Sequence, residues 1–172
     1  GIIAGTDGLR IESNEIVALA GRLPADGISI EAGLDKGTID HLLIVGNRLR
    51  GQRGHGISIR HPLGKAMIRS NMVENTFGGA VVMGIGASAD YLAIDSNQFV
   101  NLGAGFNSEA LPYFGVLLLA VTRADVVGNV FDSVARQATV SPLRCALLAM
   151  ASGELRVAGN RMHGIGPLAG FT

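Results

Sequence analysis

Hydrophobic and polar residues alternate in short runs along the chain, and one of these runs recurs with an asparagine at a fixed place. Its pattern is apolar-x-apolar-x-small-Asn-x-apolar, and its first copy spans residues 9–16. Alternation with a period of two places successive side chains on opposite faces of a β-strand. The asparagine of the pattern, always preceded by Gly or Ser, occurs at Asn14, Asn47, Asn71, Asn97, Asn129 and Asn160. The chain is therefore predicted to be all-β and built from repeats.

A second strand pattern, Gly-apolar-x-apolar, lies between these copies. It begins at Gly27, Gly56, Gly79 and Gly115, while Cys145 takes the place of the glycine in a later copy. Successive asparagines are 33, 24, 26, 32 and 31 residues apart. Each repeat then contains two or three short strands and no helical stripe. Leucine-rich repeats share part of the pattern, but they need a further apolar residue that half of the copies lack, and a helical segment after the strand.

The whole pattern, over residues 7–165, resembles the right-handed parallel β-helix of the pectate-lyase type. We therefore expect a single-stranded right-handed solenoid of about six coils that forms one domain over residues 1–172. Coils stack about 4.8 Å apart with their strands in register, so like residues form columns. The six asparagines are expected to form a ladder at a turn, where asparagine tolerates left-handed geometry and its amide can bond to neighbouring coils.

Residues 54–59, Gly-His-Gly-Ile-Ser-Ile, are similar to a sequence box of the polygalacturonases, which are β-helix glycoside hydrolases. Upstream, Asp7 lies in a segment similar to their Asn-Thr-Asp box, and Asp26 lies where they have two adjacent aspartates. The resemblance implies a catalytic site of Asp7 and Asp26, with His55 nearby, because inverting hydrolysis needs one carboxylic acid and one carboxylate. The chain departs from the family at Ala25, which replaces one acid, and at residues 81–83, which are Val-Val-Met instead of Arg-Ile-Lys.

The outward positions of the second strand are expected to change from polar to apolar along the chain. The early pairs are Ser29 with Glu31 and Ser58 with Arg60. The later outward residues are expected to be a contact surface formed by Val81, Met83, Leu117, Leu119 and Leu147. The insertion at residues 102–114, chain outside this segment, or a lateral homo-oligomer of the kind found in phage fibres would cover this surface.

The composition of the chain argues against several classes of function. The 14 basic and 14 acidic residues cancel, so the chain has no electrostatic footprint for nucleic acid. The single cysteine excludes an internal disulfide and a cysteine-based zinc cluster, and the four histidines lack metal-ligand spacing. No run of 18 apolar residues could span a membrane, and no cofactor is expected.

The chain begins at Gly1 without an initiator methionine, so we expect a part of a longer bacterial or phage protein, extracellular or at a cell surface. The leading hypothesis is a non-enzymatic structural or adhesive module that meets a polysaccharide or a protein partner. The alternative is a carbohydrate-active enzyme (polysaccharide hydrolase, lyase or uronate epimerase) with its site in the first three coils. A third hypothesis is a degenerate enzyme that retains binding alone.

Overall fold

Short alternating runs form short strands throughout the computed structural model, which describes residues 8–18, 26–31, 37–103, 113–136, 143–150 and 153–166. Seventeen strands and no helix occur within these ranges. The strands are β1 (Leu9–Glu12), β2 (Glu15–Val17), β3 (Ile28–Glu31), β4 (Ile39–Val45), β5 (Arg48–Arg50), β6 (Ile57–Arg60), β7 (Pro62–Arg69), β8 (Met72–Glu74), β9 (Val81–Met83), β10 (Ser88–Asp95), β11 (Gln98–Leu102), β12 (Tyr113–Leu119), β13 (Val121–Val127), β14 (Val130–Val134), β15 (Arg144–Met150), β16 (Glu154–Ala158) and β17 (Arg161–Ile165).

The strands form three parallel sheets. Sheet A has the order β1-β4-β7-β10-β13-β16, sheet B the order β2-β5-β8-β11-β14-β17, and sheet C the order β3-β6-β9-β12-β15. Among the described residues, each of the first five repeats contributes one strand to each sheet in turn, and the sixth contributes β16 and β17; within each sheet, strands of successive repeats pair. This all-β arrangement is compatible with the predicted parallel β-helix.

The inner face of sheet A confirms the predicted column of aliphatic side chains. Ile44 pairs with Ile68, Ile68 with Ile94, and Ile94 with Val126, and all four are fully buried. A second column, made of different residues, lies on the inner face of sheet B. There Phe99 and Phe131 are fully buried with their ring centroids 5.1 Å apart. Like residues in register thus form one continuous core.

The turn between sheets A and B explains why Gly or Ser precedes each asparagine. These preceding residues have φ values between 55° and 66°, in the left-handed region, and they are Ser13, Gly46, Ser70, Ser96, Gly128 and Gly159. Glycine adopts this region without steric cost and most other residues do not. The prediction that the asparagines themselves adopt left-handed geometry is wrong, since the residue before each one does so.

The asparagine ladder is continuous. In each repeat the backbone N–H and the side-chain amide of the asparagine donate to Oδ1 of the asparagine in the following repeat, at 2.9 to 3.0 Å. The amides of the later asparagines also donate to the carbonyl of the preceding repeat, for example from Asn97 to Ile68 at 2.9 Å. The four inner asparagines, Asn47, Asn71, Asn97 and Asn129, are buried. Each asparagine side chain therefore forms hydrogen bonds with backbone groups at the turn, where the strand-to-strand hydrogen bonds are interrupted.

A second column of left-handed residues, not predicted from the sequence, lies at the ends of the strands of sheet B. Left-handed residues occur there at Gly51, Asn75, Asn101, Ser133 and Gly164. The side-chain amide of Asn101 donates to Oδ1 of Asn75 at 2.6 Å. Two columns of left-handed residues therefore mark the two ends of sheet B.

The register of sheet C differs from the predicted one in two repeats. Ile57 pairs with Val81 and Ile59 with Met83, so Val81 and Met83 point into the core and are fully buried. The outward position of β9 belongs to Val82, which pairs with Ser58. In β15, Leu147 packs against the core, and Leu148 takes the outward position beside Leu117. The expectation that Val81, Met83 and Leu147 face outward is therefore wrong, because Ala80 and Ala146 occupy the place of the strand's first glycine.

Candidate functional site

Two of the three residues of the predicted catalytic site are neighbours at the start of sheet C. Oδ1 of Asp26 accepts a hydrogen bond from the backbone N–H of His55 at 2.7 Å. The His55 ring in turn accepts at Nδ1 from the backbone N–H of Gly79, at 3.0 Å. The third residue, Asp7, lies outside the described residues. The side chains of Asp26 and His55 thus each form a hydrogen bond with the backbone of the next repeat.

The surroundings of His55 favour its neutral form. Burial lowers the pKa of the imidazole, Asp26 opposes this effect, and Arg60 adds to it. Because Nδ1 accepts a hydrogen bond, the proton of the neutral ring lies on Nε2. A Cβ added to Gly78 would lie 2.4 Å from Nδ1, so the ring rests directly on this glycine. The ring is packed and hydrogen-bonded in a single orientation.

Charged side chains continue this cluster along the outer face of β3 and β6. Arg60 lies 3.2 Å from Glu31 and 3.9 Å from Asp26. The hydroxyl of Ser29 donates to the same Glu31 oxygen. The two carboxylates are thus held by one guanidinium, an arrangement that links the first repeat to the second.

The outward column of sheet C becomes apolar after Ser58. It continues with Val82, which is 6% exposed, and Leu117, which is 9% exposed. Leu119 lies two residues further along β12 and is partly exposed. Of the predicted contact residues, Leu117 and Leu119 therefore face outward, and a role for them in binding stays a prediction.

The outer face of sheet A carries a polar and aromatic column that sequence reasoning missed. Tyr91 pairs with Lys65 on one side and with Arg123 on the other, and the column runs from His41 to Glu154. Every member stands six positions before a ladder asparagine, and this constant offset is the signal that could have found the column. The residues differ in type, so only their place in the repeat reveals them.

Tyr91 stands at the centre of this outer face and is held from two sides. Its hydroxyl donates to Oδ2 of Asp125 at 2.8 Å, and the Arg123 guanidinium lies 4.9 Å from the ring centroid. The hydrogen bond to Asp125, burial and the Asp125 charge raise the pKa of the phenol, while Arg123 and Arg156 lower it. These two contacts fix the ring in place on the outer face.

The first cavity, called the polar cavity for the residue types around it, has a volume of about 430 Å³. It is lined by Asp90, Thr122, Arg123, Gly153 and Glu154, all exposed. It therefore brings two carboxylates, one hydroxyl and one guanidinium to the same stretch of surface.

The second cavity has a volume of about 360 Å³ and includes Tyr91 in its lining. It is lined by His41, Leu42, Leu43, Lys65, Ala66, Met67 and Tyr91. Most of its lining is apolar, and Lys65 contributes an ammonium group.

Metal and thiol chemistry have no evident centre in the described part of the chain. There, no three His, Cys, Asp or Glu side chains come together as a metal site. Burial raises the pKa of Cys145, whose thiol lies 3.6 Å from the carbonyl of Tyr113. No helix in these ranges could cross a membrane.

Comparison with protein-family models, curated proteins and solved structures finds no match for this chain.

Proposed function

We propose that the chain is a non-catalytic module that binds a neutral glycan at the polar cavity on the outer face of sheet A. Its scaffold would be a right-handed parallel β-helix of about six coils, of the pectate-lyase-like type, within a bacterial or phage surface protein. The observation that carries this proposal is the cavity of Asp90, Thr122, Arg123 and Glu154, in which the Arg123 guanidinium is also held over the ring of Tyr91.

The chemistry of the lining suits a ligand rich in hydroxyl groups. Carboxylates accept from hydroxyls, a guanidinium donates to them, and Thr122 can do both. Asp90 and Glu154 would repel a uronate or a phosphate, since like charges disfavour each other at close range. Strands in a sheet lie about 4.8 Å apart, a spacing comparable to the length of one sugar unit along an extended glycan chain. Successive sugars could therefore meet successive repeats.

The groups that an enzyme would need have other partners in this structure. Asp26 and the Nδ1 atom of His55 each accept a hydrogen bond from backbone of the following repeat. A general acid or base must be within hydrogen-bond reach of the substrate proton that it transfers. These bonds support a structural role for both side chains.

The experiment is a binding and product assay on a panel of neutral polysaccharides. Affinity electrophoresis of the wild type should show retardation without release of reducing ends, and Arg123→Ala should reduce the retardation. Asp26→Asn, on sheet C, is the matched control and should bind as the wild type does. No retardation by any neutral polysaccharide, or retardation unchanged by Arg123→Ala, would refute glycan binding at this cavity.

The second candidate function is a carbohydrate-active enzyme, and one observation favours it. Asp26 and His55, which resemble polygalacturonase residues, are in contact through the backbone of His55. The same assay tests this candidate. Release of reducing ends that Asp26→Asn abolishes would replace the non-catalytic proposal by the enzymatic one.

A further inference from the structure

The apolar cavity beside Tyr91 is not explained by the fold or by glycan binding. Leu43 and Met67 form its floor on the outward column of sheet A, and Met67 is 38% exposed. The same column holds Arg10 before them and Asp125 and Arg156 after them. The apolar floor is therefore a local feature in the middle of the sheet, bounded by charged residues at both ends.

A cation without a carboxylate partner stands at the edge of this floor. Lys65 is exposed and forms no ion pair within the described ranges, although ion pairs occur elsewhere on the surface, for example between Arg48 and Glu74 at 3.0 Å. Tyr91, which lines the same cavity, directs its hydroxyl to Asp125. The phenol is therefore held away from a ligand, and the free charge of the cavity is that of the Lys65 ammonium.

The geometry points to a carboxylate ligand with an apolar body: the body would lie on Leu43 and Met67, and the carboxylate would meet Lys65. A sugar would leave its hydroxyl groups without acceptors on such a floor, and unpaired polar groups are costly to desolvate. Methionine adapts its shape to apolar ligands. At about 360 Å³ the cavity is at the small end of ligand sites, so the ligand is small or is the end of a larger molecule.

Two sources could supply this chemistry, namely a free aliphatic acid and the carboxyl terminus of a peptide that ends in an apolar residue. Hexanoate represents the first, with hexanol as its neutral counterpart. N-acetyl-leucine represents the second, with N-acetyl-leucinamide as its neutral counterpart. The tighter of the two acids identifies the source.

The readout is NMR of the protein labelled with carbon-13 in its methionine methyl groups. The chain has five methionines, so the methyl spectrum is simple, and Met67 and Met83 report on different places. Either acid should shift the Met67 methyl resonance, leave that of the fully buried Met83 unchanged, and bind more tightly than its neutral counterpart. No shift at Met67, or equal affinity for acids and neutral counterparts, would overturn the inference.

Lys65→Met separates charge from apolar contact. It keeps most of the side-chain stem, so the neutral counterparts should bind as before, while the acids should bind about two- to fivefold more weakly. Arg69→Met is the matched control, since Arg69 faces outward on the same strand beyond the cavity. An unchanged affinity for the acids in Lys65→Met would contradict the assignment, and the Met83 resonance shows whether each variant is folded. Because Lys65 does not line the polar cavity, glycan binding is tested independently.

Discussion

At the scale of the residue, the left-handed turn before each asparagine sets which side chains the repeat accepts. Either glycine or serine occupies this place in every repeat, and their φ values are nearly the same, 63° at Gly46 and 55° at Ser13. A Cβ on Gly46 would not clash, since its nearest neighbour would be the Ser13 hydroxyl at 3.8 Å, an ordinary van der Waals distance. Any cost of a larger residue there is therefore conformational strain and not a clash.

Gly46→Ala should reduce the free energy of unfolding by about 1–2 kcal/mol because a left-handed conformation is unfavourable for alanine. Gly46→Asn should lose less, since asparagine tolerates this region better. Urea unfolding measures both. The control is Gly84→Ala, at a glycine outside the left-handed region whose nearest contact is 3.4 Å away. Equal losses for the alanine and asparagine variants would contradict the explanation.

Within the ladder, the middle asparagines should contribute more to the free energy of unfolding than the outer ones. Asn97→Ala would leave the backbone N–H of Asn71 and the carbonyl of Ile68 without these partners. Each buried polar group left unpaired costs about 1–3 kcal/mol, so we expect a total loss of about 3 kcal/mol or more. Asn14→Ala should cost less, because Asn14 is exposed at the first repeat. Similar denaturation midpoints for these two variants would show that burial does not govern the ladder.

At the scale of the element, the sequence predicts the strands that follow a strict local pattern and fails where the repeat varies. The ladder and the inner column could be predicted because each copy has the same residue type at the same offset. The register of β9 could not, because Gly79 has the residue type of the first position while Ala80 occupies it. In the structure, the N–H of Ile57 donates to the carbonyl of Ala80 at 2.8 Å, and this bond determines the register.

The outer column of sheet A escaped prediction for a related reason. His41, Lys65, Tyr91, Arg123 and Glu154 share a position in the repeat and little chemistry. The chemistry of this column comes from the combination of different neighbours across strands, which a search for identical residues does not detect. Asp26 and His55 were found through resemblance, yet the resemblance did not reveal that both bond to the backbone.

The contact between sheet C repeats should make stability depend on pH through His55. Its pKa is lower in the folded chain than the ordinary value of 6.5, so between these two values the unfolded chain binds more protons. The free energy of unfolding should therefore fall as the pH falls through that window. His55→Asn removes the titration and keeps an acceptor for the N–H of Gly79.

Urea unfolding at about pH 8 and about pH 5 isolates this effect from that of other groups. The wild type should lose more stability between the two values than His55→Asn does. If both proteins lose the same amount, His55 titrates alike in the folded and unfolded chains, and its burial has no energetic consequence.

At the scale of the whole molecule, the outer faces of sheets A and C differ in character. The outward column of sheet C is buried at Val82 and Leu117, whereas Met150, which pairs with Leu119 further along the strands, is 53% exposed. The outer face of sheet A combines the apolar cavity, which Tyr91 lines, and the polar cavity, which Arg123 lines. One continuous hydrophobic core underlies both faces, an arrangement that suits the proposed binding module.

Lateral assembly through sheet C remains a prediction of the sequence, and the structure sharpens its test. Leu117→Asp would place a charge at a buried position and destabilise the chain itself. Leu119→Asp changes a partly exposed outward residue of the same strand and is the better variant. Light scattering should give a dimer or trimer for the wild type and a monomer for Leu119→Asp. A wild type that is monomeric at all concentrations would contradict lateral assembly.

The most direct measurement of the central claim is a backbone amide NMR titration with a neutral oligosaccharide obtained from the polysaccharide that binds best. Binding at the polar cavity predicts that the largest shifts occur at Asp90, Thr122, Arg123 and Glu154, while His55 and Glu31 on sheet C do not move. The largest shifts around Asp26, His55 and Glu31 instead would contradict the claim that the outer face of sheet A is the binding face.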